Sequence, residues 1–118
     1  HIIVRLIGHA RNRAKEKGLE HSLKKEDLKF PKLCPVLGYP LKCNRGGSAA
    51  PDSPSIDRIN NQKGYTKDNV NIISFEANTI KGSANSEKLY KVALYAEQCE
   101  GKGNRFTRWL KRMIIKLF

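Results

Sequence analysis

Residues 55–81 read SIDRINNQKGYTKDNVNIISFEANTIK, and this stretch decides how the chain folds. Ile56 and Ile59 flank Asp57 in a short run of strand character. The loop Asn60-Asn61-Gln62-Lys63-Gly64 is turn-rich, with Gly64 free to take a positive φ. Val70, Ile72 and Ile73 supply the β-branched content of a returning strand. Ser74 is placed to cap a short helix that carries Asn78 and Lys81 and stops at Gly82. Strand, loop, strand and helix in this order predict an α+β fold.

Outward from that unit, residues 2–17 put Ile3, Leu6, Ile7, Ala10 and Ala14 on one helical face, with Arg5, Arg11, Arg13, Lys15 and Lys17 mostly off it and Gly18 as a stop. Residues 22–33 read as a short helical turn or loop ending at Pro31. The segment LCPVLGYPLKC is punctuated by Cys34, Pro35, Gly38 and Pro40, and NRGGSAAPDSPS (44–55) reads as an exposed loop. Beyond Gly82, Asn85 or Ser86 caps a helix with Leu89, Val92, Ala93, Ala96 and Cys99 on one face. The last segment, RFTRWLKRMIIKLF, is a basic amphipathic helix with Phe106, Trp109, Leu110, Met113, Ile114 and Leu117 in its stripe. The expected organisation is one domain over 1–118: a basic helix at 1–18, a central unit at 34–81 and further helices at 86–118.

The 118 residues carry a net charge of +12, and the excess is spread along the chain. That balance calls for a polyanionic partner, and nucleic acid leads. Cys34, Cys43 and Cys99 make an odd number and no disulfide framework. No apolar run approaches the ~20 residues of a membrane span. The expectation is a soluble intracellular protein.

Hydrolysis of a phosphodiester needs the phosphate charge neutralised, a water deprotonated and the leaving oxygen stabilised. One hard divalent ion supplies the first and third of these. Mg²⁺ takes oxygen ligands, keeps several waters and needs only one or two protein groups beside the phosphate. Asp57 and Asn78 offer a carboxylate and an amide oxygen on two elements that the hairpin folds together. Asn69, where the loop enters the second strand, can fix the loop through its backbone. Lys81, a turn beyond Asn78, can face a phosphate.

With these residues the stretch resembles the HNH, or His-Me finger, endonucleases, and looks most like small phage and bacterial members whose first strand reads D-R-I. The resemblance implies a ββα-metal hairpin–helix core with additional helices around it, holding one Mg²⁺ or Mn²⁺ ion. Asp57 matches the acidic metal ligand, Asn69 the loop-fixing Asn, and Asn78 the helix ligand. Upstream, CPVLGYPL resembles the C-P-x-C-G-x-P-L knuckle of many members. Leu37 stands at its second Cys, so the expectation is a knuckle held by packing, without structural zinc. Arg58 stands where the family keeps its general-base His. A guanidinium stays protonated and cannot take a proton from water, so Arg58 is expected to bind phosphate instead. Tyr65 leads the candidates for the base, followed by His9 or His21, with a water that loses its proton without any protein base as the other route.

The leading expectation is therefore a divalent-metal-dependent endonuclease acting on DNA, with RNA as the alternative substrate. Arg58, Lys63, Lys81, Arg11 and Arg13 would meet its phosphates. A non-catalytic nucleic-acid-binding module on a degenerate nuclease scaffold is the runner-up. A membrane-surface or partner-binding protein that uses the C-terminal helix comes third.

Overall fold

Alternation along one five-residue strand organises the structure. The computed structural model describes residues 2–43 and 49–101. The elements run α1 (Ile2–Lys17), a 3-10 turn (Lys25–Asp27), β1 (Pro54–Arg58), β2 (Val70–Ser74), α2 (Phe75–Lys81) and α3 (Ser86–Cys99). The chain divides into two compact units, His1–Gly82 and Ser83–Phe118. The class is α+β. The stripe of Phe106, Trp109 and their neighbours lies outside the described residues.

In the first unit β1 and β2 form an antiparallel hairpin in the register Ile56↔Ile72, Asp57↔Asn71 and Arg58↔Val70. Successive strand side chains point to opposite faces. Ile56 on β1 and Val70 and Ile72 on β2 enter a core with Ile7, Ala10 and Ala14 of α1, and with Leu23, Leu28 and Tyr65. Ile73 points the other way and packs with Cys34 and Ala77, backed by Tyr39 and Leu41. The hairpin is thus covered by α1 on one face and by α2 with the Cys34 knuckle on the other. Fully burying one Ile in either layer contributes roughly 2–3 kcal/mol.

Local signals place the helices. The Ser74 side chain accepts the Ala77 N–H at the start of α2, and Asn85 accepts the Lys88 N–H at the start of α3. Gly18, Gly82 and Gly101 follow the three helices with positive φ of 66°, 52° and 71°, the conformation that favours glycine at these ends. Gly64 differs from expectation, because its φ is not positive. Its lack of a side chain serves a close approach instead: a Cβ there would overlap the backbone of Glu20, lying 2.8 Å from both its N and its C. Around it, the Tyr65 N–H donates to Glu20 O (2.8 Å) and the Ser22 N–H to Tyr65 O (3.0 Å), tying the hairpin loop to the chain just after α1.

In α3, Val92, Ala93 and Cys99 of the expected apolar face are exposed, whereas Leu89, Leu94 and Ala96 are half-buried and Glu97 is buried. None of the described helices is long and apolar enough to cross a membrane.

Candidate functional site

Strand parity sorts the residues around Asp57. Ser55 and Asp57 share the face covered by α2, and on that helix Asn78 and Lys81 lie one turn apart, stacked over the same stretch of β1. The Asn78 amide nitrogen donates to Ser55 Oγ (2.8 Å) and Ile56 O (3.3 Å). A carbonyl only accepts, so its neighbour must be Nδ2, and Asn78 Oδ1 is left as an acceptor. Lys81 Nζ donates to both Asp57 oxygens, at 2.8 and 2.9 Å, and to the Arg58 carbonyl at 2.7 Å. The pair is partly shielded, the side chains being 10% (Asp57) and 27% (Lys81) exposed. Asp57, Asn78 and Lys81 therefore meet on one face, as the spacing predicts. The partner of Lys81 is the carboxylate, however, and not an open phosphate position.

Arg58 corrects the sequence reading. As the next residue along β1 it projects to the opposite face, toward α1. It is only 9% exposed, and its Nη1 donates to Asn61 O (2.7 Å) and Lys63 O (3.0 Å). Its guanidinium carbon lies 5.2 Å from the Tyr65 ring centre. Arg58 clamps the hairpin loop from beneath and is not aimed at a phosphate beside Asp57. Asn69 holds the same loop from its other end: Oδ1 accepts the Asn60 N–H (2.9 Å), while Nδ2 donates to Asn60 O (3.1 Å) and Gly64 O (2.8 Å).

The candidate bases lie away from the carboxylate. Tyr65 is 3% exposed, its hydroxyl accepts from Arg13 Nε (3.1 Å), and its ring packs in the α1-side core against Arg58 and His21. Burial and the nearby Arg11 hold His21 below the usual imidazole range, against backbone hydrogen bonds at His21 and Ile7 that raise it. A neutral imidazole suits a base, but this one lies beside Tyr65, and its Nε2 is buried with no hydrogen-bond partner among the described residues. His9 is exposed on α1, which covers the other face of the hairpin. Of the expected phosphate contacts, Arg11 and Lys63 are exposed, whereas Arg13 is half-buried against Tyr65.

The knuckle is organised by a thiol. Cys34 is 1% exposed. Its Sγ accepts from the Leu37 N–H (3.4 Å) and the Ser74 N–H (3.3 Å), and donates to Ser74 Oγ (3.4 Å). Leu37 and Cys43 are exposed. Burial pushes the thiol up, but once it is ionised the Ser74 hydroxyl can turn to donate to the sulfur, and with the backbone N–H groups at Leu37, Ser74 and Val36 this more than offsets burial, leaving the thiol at about 7 against the usual 9.0. A folded value below the unfolded one adds stability that is complete above the unfolded value and is lost as pH falls through the folded one. The stability of the parent relative to Cys34→Ser should therefore grow between about pH 6 and about pH 9, as read from urea midpoints.

Among the described residues no group of three His, Cys, Asp or Glu side chains could hold a metal ion. Ser55 and the Arg58 carbonyl are the participants that sequence reasoning missed. Ser55 was within reach, since it shares a strand face with Asp57 at i, i+2. The carbonyl carries no residue-type signal. No protein-family model, no curated protein and no solved structure matches the chain.

Proposed function

We propose that this chain is a divalent-metal-dependent endonuclease of the HNH kind, hydrolysing phosphodiester bonds in DNA. The observation that carries this reading is the meeting of the Asp57 carboxylate, the Asn78 amide and the Lys81 ammonium on one face of a hairpin–helix unit. The donor chemistry fits Mg²⁺ or Mn²⁺: a carboxylate and an amide oxygen, with water and a phosphate oxygen to complete the shell. The bound ion supplies charge neutralisation on the phosphate and on the leaving oxygen. Asp57 and Asn78 would hold it, Lys81 would turn its positive charge to a phosphate, and Arg58 and Asn69 keep the loop and strand ends in place. Exposed Arg11 and Lys63 serve the phosphate backbone. Tyr65, His9 and His21 lie on the other side of the hairpin, so the attacking water gives its proton to solvent in this reading.

The test is nicking of supercoiled plasmid by the full chain across Mg²⁺, Mn²⁺ and a chelator control. Metal-dependent nicking that disappears in Asp57→Ala is the expected result. The second reading, a non-catalytic DNA-binding module, is favoured by the Lys81 ammonium seated on Asp57 and by the missing base. It prevails if the parent never cuts with any metal yet binds DNA.

Both readings share one prediction. With a net charge of +12, binding to duplex DNA should release condensed counterions and weaken steeply with salt. If about six phosphates are contacted, the dissociation constant rises roughly a thousandfold between 50 and 200 mM salt. Fluorescence titration at the two ionic strengths measures this, and a constant affinity would remove nucleic acid as the partner.

A further inference from the structure

The surroundings of Lys81 resemble the coordination of an ion more than an ordinary surface pair. One ammonium meets three oxygens at 2.7–2.9 Å: both oxygens of Asp57 and the backbone carbonyl of Arg58. An ammonium has three protons to donate, so this seat satisfies it completely. The acceptor set is a carboxylate and a carbonyl, the hard-oxygen donors that a divalent cation also selects. Two cations cannot share it, because repulsion between them is strong in a site this shielded. Lys81 itself is in the last turn of α2, on a flexible four-carbon stem and 27% exposed, so it can swing outward without unfolding the helix.

We infer that the oxygens now holding Lys81, namely Asp57 Oδ1, Asp57 Oδ2 and Arg58 O, belong with Asn78 to the seat of the divalent cation, and that Lys81 is its exchangeable occupant. The inference rests on the proposal that Asp57 is a cation ligand, and it adds the Arg58 carbonyl as a further donor. An entering ion displaces the ammonium, which then needs three new acceptors. Phosphate oxygens of the nucleic acid supply them. Cation and nucleic acid therefore favour each other's binding through Lys81, and such coupling is reciprocal. Without nucleic acid the ion has to break the lysine contacts first, so its affinity is low.

The experiment uses the purified full chain and Mn²⁺ alone, with binding followed by the loss of the free-ion electron-paramagnetic-resonance signal. Lys81→Met removes the competing charge and keeps the length of the side chain. It should bind Mn²⁺ at least about tenfold more tightly than the parent, while Lys81→Arg, which keeps the charge, should not. Asp57→Asn should abolish binding in either background. A second measurement needs no substitution: amine-selective labelling of Lys81 in the parent, read by mass spectrometry, should rise when Mn²⁺ fills the site. Equal Mn²⁺ affinity in parent and Lys81→Met, or labelling that does not change at full occupancy, overturns the exchange and leaves Asp57 as a cation ligand. Mn²⁺ binding by neither protein, or binding that Asp57→Asn does not alter, overturns the cation-site proposal and the exchange with it.

Discussion

On the proposed nuclease function, Asp57→Ala should lower metal-dependent cleavage by on the order of a thousandfold, comparable to removing one preorganised electrostatic contact in a hydrolase, and should leave the proposed salt-sensitive DNA binding in place. The carboxylate is the only acidic side chain among the contacts described for Asn78 and Lys81, so nothing nearby replaces it. The fold should survive, because Lys81 is exposed enough to turn its freed ammonium to water. Arg58→His provides a contrast in the same assay. It loses the clamp on the Asn61 and Lys63 carbonyls, and it places an imidazole on the face opposite the carboxylate. Its expected phenotype is a less stable protein with no gain in cleavage. Plasmid nicking over pH and thermal melting of both variants check the pair. Cleavage by Asp57→Ala at the parental rate would place the chemistry elsewhere in the molecule.

Gly64→Ala should be the most damaging glycine-to-alanine change among the described glycines of the first unit, costing about 3 kcal/mol and about 10 °C in melting temperature. The added Cβ would collide with the backbone of Glu20, including its carbonyl oxygen. Backbone atoms cannot rotate aside as a flexible side chain can. Relief requires the loop to lift from the Glu20–Ser22 segment, which strains the Tyr65 N–H to Glu20 O and Ser22 N–H to Tyr65 O bonds. It also disturbs the Tyr65 ring, which belongs to the α1-side core. Gly8→Ala is the matched control. Gly8 lies inside α1, and a Cβ there meets nothing within 4 Å. That change should instead stabilise by roughly 0.5–1 kcal/mol through helix propensity. Calorimetric melting of the two variants reads the opposite signs, and a neutral Gly64→Ala would show that the loop is not pinned to Glu20.

Much of the local structure was legible because it follows from near neighbours in the chain. The helical face of residues 2–17, the Ser74 cap, the Gly82 stop and the two strands, the second of them β-branched, all appear where short-range rules put them. The convergence of Asp57 with Asn78 and Lys81 was legible too, since a hairpin followed at once by a helix returns that helix to the first strand. The fate of Arg58 was half legible. Alternation along β1 already puts it on the face opposite Asp57, yet matching residues to a motif by position alone placed Arg58 at a phosphate beside the Asp57 metal ligand.

The sequence by itself determined the elements, their caps and the basic character of the surface, because propensity, periodicity and charge are properties of short segments. Only the tertiary structure decided that Gly64 is required by Glu20, forty-four residues earlier, and that Tyr65, the leading candidate for the base, is a core residue. The same holds for Cys34, whose thiol is held by Ser74 and not by a second cysteine. These outcomes depend on which distant backbone groups come within hydrogen-bonding or van der Waals distance. That is set by how α1 and α2 close on the two faces of the hairpin, and no local pattern encodes it. The occupant of the Asp57 carboxylate belongs to the same class: an ammonium on a long flexible stem pairs with whichever oxygens packing brings within reach, and here packing offered three.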